Sequence, residues 1–249
     1  MKNFISYLKY TLAVFFWLAV WHIASLIIAS PIVLVSPIAA FGRLFELAAE
    51  AAFWQSVSFS VIRIVFGFAL ALLLGVLLAS ITAKYKILYI LFLPALNIIK
   101  SIPVASFTIL ALLWIVSHNL SVFISFVTVM PIVYFNTYEG IQNTDEKLLQ
   151  MAGVFKVPAY KTILHIYLPQ ILPYVVSAAA SGLGFAFKAG VAAELIGLAR
   201  NTIGFNLHTA RVFLQTADVL AWTIAIVVLS YLMEKVFHLL LLRIRVSSH

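Results

Sequence analysis

Ile64-Val-Phe-Gly-Phe-Ala-Leu-Ala-Leu-Leu-Leu-Gly-Val-Leu-Leu78 contains no charged side chain and no hydroxyl or amide side chain. A transmembrane strand alternates lipid-facing apolar residues with polar ones. This stretch is apolar at every position, so as a helix it is apolar on every face, which suits a bilayer rather than water. Val219–Leu232, likewise uncharged, also reads as a helix suited to a bilayer. Long apolar runs recur along the chain, on the scale of the 20 or so residues that cross about 30 Å of hydrocarbon. Composition agrees: the 249 residues are 64% hydrophobic and 10% charged, against roughly 25% charged in a soluble domain. The fold class is therefore all-α, a polytopic membrane helical bundle of about six transmembrane helices. One domain is expected over residues 1–249, with its core at 57–242.

The spans are predicted at Tyr10–Ala29, Val57–Ile81, Ile87–Val116, Leu120–Tyr138, Ile171–Leu195 and Val219–Leu242. The first is longer than a signal-peptide core and lacks a small-residue cleavage site, so it is expected to remain as a span. Ser30–Ala40 reads as a loop punctuated by proline. Phe41–Phe53 reads as an interfacial helix, with Arg43, Glu46 and Glu50 on one face. In the second span Gly67, Ala71, Gly75 and Ala79 recur every four residues, a stripe that lets a neighbouring helix approach closely. Ser177–Gly184 in the fifth span offers a second such surface. Thr216 and Asp218 read as caps of the sixth.

Basic residues orient the chain. With the N-terminus cytoplasmic, Lys2, Lys9, Lys84, Lys86, Lys147, Lys156, Lys161, Arg243 and Arg245 fall inside, and Arg43, Arg200 and Arg211 outside. This asymmetry predicts a multi-pass protein of the cell inner or plasma membrane, with both termini and the polar loop 139–169 in the cytoplasm. The net charge of +8 follows from that retention and does not call for nucleic acid. Cysteine is absent, which excludes disulfides and thiolate metal sites. No phosphate-binding loop, zinc-protease motif or nucleophile elbow occurs, and the histidines show no metal spacing, so no catalytic or metal site is expected.

Loop 139–169 carries the richest pattern. Asn143–Phe155 reads as a short helix capped by Asn143 or Thr144, and Lys161–Leu168 as a second one ending at Pro169. Leu149, Met151, Val154 and Phe155 would present apolar knobs, either to another protein or to this chain's own inner face. Gln150–Pro169 resembles the EAA loop of ATP-binding-cassette (ABC) importer permeases, whose pattern is E-A-A, three residues, G, nine residues, I-x-L-P. Ile166, Leu168, Pro169 and Ala152 fall in register, while Gln150, Met151 and Lys156 stand where Glu, Ala and Gly are usual. A lysine at the glycine position argues against a left-handed turn there. Ser60-Val-Ile-Arg-Ile-Val-Phe-Gly-Phe68, Ile99-Lys-Ser-Ile-Pro103 and Ala189-Gly-Val-Ala-Ala-Glu194, followed by Ile203-Gly204, resemble further segments of that permease core. Together they look like its nitrate, sulfonate, taurine and bicarbonate branch.

The resemblance implies a type I importer permease fold and a second permease copy, as a homodimer. It also implies an extracytoplasmic solute-binding protein and separate ABC ATPase subunits, which carry ATP and Mg; no cofactor is expected on this chain. ATPase contacts are carried over to Leu149, Gln150, Met151, Ala152, Phe155 and Lys156.

Membrane-embedded charge adds its own constraint. A lysine at mid-bilayer costs roughly 2.5–3.5 kcal/mol, so Lys100 and Lys188 must face protein or water. One reading lines an anion pathway with Lys100, Lys188, Glu194 and Arg63; the other makes Arg63, Lys188 and Glu194 struts between helices, favoured for Glu194 and Arg63. Lys188 and Glu194, six residues apart, are off one face and are not expected to pair. The function implied is the permease of an ATP-driven importer for a small anionic solute. An ion-gradient-driven secondary transporter and a non-transporting scaffold are the alternatives.

Overall fold

The computed structural model describes residues 2–246, and for 2–10, 238 and 240–246 the backbone alone. The described residues form helices and no strand. In chain order these are α1 (Lys2–Ile28), α2 (Pro37–Ala48), α3 (Ala51–Lys84), α4 (Lys86–Ser101), α5 (Val104–Ala111) and α6 (Ser117–Gln142). They continue with α7 (Glu146–Val154), α8 (Ala159–Thr162), a π turn (Ile163–Tyr167), α9 (Leu168–Gly197), α10 (Ile203–Val212) and α11 (Thr216–Val246). Five of them are long and apolar enough to cross a membrane, and α4 with α5 makes up to a sixth crossing.

The third span is not the continuous helix expected over Ile87–Val116. α4 and α5 meet at 105°. Pro103 has no N–H to continue the ladder and pushes its predecessor out of the helical region; Ile102 is accordingly extended, at φ −74° and ψ 131°. Pro94 and Pro131, in contrast, are absorbed inside α4 and α6. The surface helix also differs from expectation, running from Pro37 to Ala48 with Ser36 as its cap. Glu50 instead precedes the first turn of α3.

α3 and α6 run parallel, with α9 antiparallel against both. Ile64, Phe68, Val129, Val133, Leu183 and Phe187 fill the shared core. The small-residue stripe is buried along its whole length: Gly67, Ala71, Gly75 and Ala79 all face inward. A Cβ on Gly67 would collide with the Val122 carbonyl, and one on Gly75 would lie 2.9 Å from Val133 Cβ. Gly190 on α9 is as tightly held, since a Cβ there would lie 2.6 Å from Ile64 Cγ1 and 2.7 Å from Ser125 Oγ. Without a hydrophobic drive in lipid, such close backbone approach is what holds helices together.

The peripheral elements attach by rings and polar clasps. Tyr89 stacks on Tyr138 at 4.7 Å and Phe107 on Phe123 at 5.9 Å, fixing α4 and α5 to α6. Phe53 stacks on Trp222 of α11 at 4.8 Å. Arg43 of α2 holds Asp218 of α11 through Nε (2.6 Å) and Nη2 (3.1 Å), and Glu46 through Nη1 (2.9 Å). The hydrogen bonds to Asp218 and then Glu46 raise the Arg43 pKa still further above its ordinary value. Asp218 is therefore a clasp rather than the expected cap, and the Thr216 hydroxyl donates to the Ile32 carbonyl at 2.6 Å. From Thr11 to Ile28 the side chains of α1 are mostly exposed, and the helix is tied in through Trp21 Nε1, which donates to the Val35 carbonyl at 3.0 Å.

Between α6 and α9 the chain turns twice. Asp145, not Asn143 or Thr144, caps α7: its Oδ1 accepts from Lys147 N at 2.8 Å. α7 ends with Val157 N donating to the Ala152 carbonyl (2.9 Å) and Lys156 N to that of Gly153 (3.1 Å). This is the Schellman pattern, and it places Lys156 at φ +50°. The left-handed turn thus forms despite the lysine, because two backbone hydrogen bonds outweigh a cost of roughly 1–2 kcal/mol. The second loop helix does not stop at Pro169. α8 passes through the π turn into α9, with Leu168 N donating to the Ile163 carbonyl. A wider turn just ahead of a proline redistributes the missing donor.

Two stability predictions follow from this packing. Gly190→Ala should lower the thermal midpoint by an amount equivalent to about 1–3 kcal/mol through overpacking. Gly42→Ala and Gly153→Ala, with nothing within 4 Å of the added methyl, should instead gain up to about 1 kcal/mol of helix propensity. At the α7 turn, hydrogen exchange of the Val157 amide should slow in Lys156→Gly. It should quicken about tenfold in Lys156→Val, since a β-branched residue resists positive φ most.

Candidate functional site

The two ends of the bundle differ chemically. Lys84, Lys86, Lys147, Lys156 and Lys161 gather where α3 meets α4 and where α7 and α8 lie. Arg43, Arg200 and Arg211 lie at the end formed by α2, α10 and the link between α9 and α10. This is the partition read from the sequence, although the side chains of Lys2, Lys9, Arg243 and Arg245 lie outside the described residues.

At the α10 end Glu194 is fully buried. Its Oε2 accepts from Ser60 Oγ of α3 at 2.7 Å and from Gly204 N of α10 at 3.3 Å. Ser60 Oγ in turn accepts from Ile203 N at 3.0 Å. One carboxylate therefore joins α3, α9 and the start of α10, and a buried carboxylate needs such donors to be tolerated at all. Gly204 must be glycine for this contact, because a Cβ there would lie 2.5 Å from Glu194 Cβ. Glu194 Oε1 has no hydrogen-bond partner. Arg63 reaches across to α6, with Nη2 at 2.8 Å from both ring nitrogens of His118, and its guanidinium sits 5.6 Å from the Phe59 ring centre.

Lys100 and Lys188 occupy different surroundings. Both are exposed, Lys100 near the end of the 16-residue α4 and Lys188 on the bilayer-length α9, and neither has a carboxylate within 4 Å among the described residues. Lys100 Nζ lies 5.3 Å from the Phe135 ring centre, and Lys188 Nζ 5.8 Å from that of Phe185. Lys188 and Glu194 do not pair, as their spacing implied. On α9 Lys188 shares an exposed face with Ser177, Ser181 and Phe185, at the helical spacings that align side chains. The buried face of the same helix carries Ala178, Ala179, Gly182 and Ala186. One side of α9 is thus core, and the other is polar and uncovered by this chain.

At the α7 end Val154 is 80% exposed, Phe155 74% and Met151 50%. Gln150 and Lys156 are also exposed and Leu149 is half-buried, whereas Ala152 is buried against this chain. Tyr160, Ile163 and Leu164 extend the apolar surface along α8 and the π turn. Sequence reading did not find the Ser60–Glu194 contact or the Arg43–Asp218 clasp, because both join residues more than 130 positions apart. Its only trace of the first was the joint presence of Ser60, Glu194 and Ile203-Gly204.

Several known proteins resemble the chain over most of its length. Over 226 residues the chain is 29% identical to a putative aliphatic sulfonates transport permease protein of Bacillus subtilis, covering 90% of this chain and 81% of that one. It is 24% identical over 220 residues to the taurine transport system permease protein of Escherichia coli, covering 86% and 80%. A bicarbonate transport system permease protein of Synechococcus elongatus is 23% identical over 184 residues, covering 74% and 66%. These relatives are those of the branch resembled, and binding-protein-dependent transport system inner membrane components as a family match residues 71–246. With that match and its several bilayer-length helices, the chain is a multi-pass membrane protein and belongs to the family of binding-protein-dependent transport system inner membrane components.

Proposed function

We propose that this chain is the permease subunit of an ATP-driven importer for a small anionic solute, working as a pair of copies with separate ATPase subunits. The observation that carries the coupling part is the apolar surface at the α7 end. Val154 and Phe155 project from a short helix beside Lys147, Lys156 and Lys161, outside the spanning helices. A bare patch of this kind on a rigid turn marks an interaction surface. In this reading the partner is an ATPase holding ATP and Mg, and its contacts are Leu149, Gln150, Met151, Phe155 and Lys156, with Ala152 seating the helix from behind. The lysine-rich end is cytoplasmic, as are both termini, so a solute-binding protein meets the opposite end.

The pathway part rests on Lys100 and Lys188. Two uncompensated ammonium groups, one on α4 of the broken third crossing and one on the spanning α9, are stable within a membrane only against water or a second protein surface. A water-filled seam between two copies supplies both, and its positive potential favours anions. The relatives named for sulfonates, taurine and bicarbonate support the same solute class. Glu194 and Arg63 then act as struts that keep α3, α6, α9 and α10 in register while the seam opens and closes. ATP-driven approach of two ATPases would move α7 and α8, and through the unbroken π turn would move α9, which bears Lys188.

Two measurements test the reading. Phe155→Ser should fold normally, with an unchanged thermal midpoint, yet lose ATP-dependent uptake at least tenfold and fail to co-purify with the ATPase. Retained co-purification would overturn the coupling assignment. The double variant Lys100→Met, Lys188→Met should lower uptake of the cognate anion at least tenfold in reconstituted vesicles, while the ATPase subunits remain bound. Full uptake would remove the lysines from the pathway, and uptake driven by an ion gradient without any ATPase would favour a secondary transporter instead.

A further inference from the structure

At the α10 end a cavity of about 340 Å³ lies between α3, the start of α6 and the link from α9 to α10. Arg63, His118, Arg200 and Asn201 supply its main polar groups and Phe59 one apolar wall, and no carboxylate lines it. Arg63 Nη1 is enclosed and has no hydrogen-bond partner. An enclosed guanidinium N–H without an acceptor is costly. Glu194 lies outside the cavity lining; its Oε2 is committed to Ser60 and Gly204, and its Oε1, itself without a partner, makes no hydrogen bond to Arg63. Arg200 is exposed and makes no ion pair among the described residues.

The backbone adds to the same field. α6 is 26 residues long and begins here with no side-chain cap, and Val116, Ser117 and His118 from its start line the cavity. Free N–H groups and the positive end of the helix dipole therefore open onto it.

We propose that this cavity binds a small oxyanion, a sulfonate, sulfate, carboxylate or bicarbonate group, between Arg63, Arg200 and the first turn of α6. Planar guanidinium forks match two oxygens of such a group, and the enclosed Nη1 of Arg63 then gains its missing acceptor. The site is distinct from Lys100 and Lys188, and it depends on the transport reading only for the choice of anions. A free solute and a lipid headgroup phosphate share this chemistry, so the test separates them.

Purified full-length protein in lipid-free, non-ionic detergent is titrated with sulfate at constant ionic strength, with chloride as the balancing anion, and thermal unfolding is followed. A saturable rise of the midpoint with sulfate is expected, because a ligand that binds only the folded state stabilises it. Arg200→Gln, on an exposed side chain that folding does not need, should weaken the apparent sulfate affinity at least tenfold, and Arg63→Lys should weaken it as well. Arg211→Gln, at the same end but outside the cavity, should leave it unchanged. In a second arm, competition by added phosphatidylglycerol would support the site and assign its anion to a lipid. No sulfate-specific shift over chloride, or an equal shift in Arg200→Gln, would overturn the proposal. Neither arm uses ATPase or uptake, so failure here leaves the pathway reading standing, and failed uptake leaves this one standing.

Discussion

A buried carboxylate is the constraint around which one end of this bundle is organised. Glu194 has no access to solvent, so its acceptor oxygens must be met by protein donors, and those of Oε2 come from α3 and α10. That requirement fixes three things at once. Position 60 must carry a hydroxyl, position 204 must carry no side chain, and α10 must begin where its first N–H groups can reach. The segments around Ser60, Glu194 and Ile203-Gly204 are therefore pieces of one contact. Ser60 is the donor, Glu194 the acceptor, and Ile203-Gly204 the backbone that closes over them. Arg63 and Gly67, one and two turns further along α3, extend the same contact face to α6.

The spanning helices then divide their surfaces by chemistry. Small residues are placed where α3, α6 and α9 cross, and the space saved lets the three backbones form a stiff central unit. Charges that do not take part in that packing, Lys100 and Lys188, are left on faces this chain does not cover. α9 carries both kinds of surface and is continuous with α8. From Ala159 at the start of α8 to Lys188 the chain is therefore helical without a break.

Much of this was legible from residue order. The apolar runs gave the spans, and the four-residue period of Gly67, Ala71, Gly75 and Ala79 gave their closest crossing. The off-face spacing of Lys188 and Glu194 correctly kept them apart. What was missed has a common physical origin. Pro94, Pro103 and Pro131 look alike locally, yet only Pro103 sits where the chain turns through a right angle, held by ring stacking on α6. Asn143, Thr144 and Asp145 are all competent caps, and Gln170 settles the matter by accepting a hydrogen bond from Asp145 N at 2.9 Å. The partners of Glu194 and Asp218 lie on distant helices, and no local pattern encodes which polar residue will meet which.

The left-handed residues at the helix ends carry a final consequence. None of the ten glycines has positive φ, whereas Ala29, Lys156, Leu198, Asn201 and Leu214 do. Glycine in this chain marks where helices touch, and the turns are made by residues with side chains. A turn built on glycine is bare, but these display something outward: Leu198 is 46% exposed and Leu214 67%, and Lys156 is exposed as well. Each such corner is thus also a handle. The chain's reversals expose side chains where a glycine turn would expose only backbone.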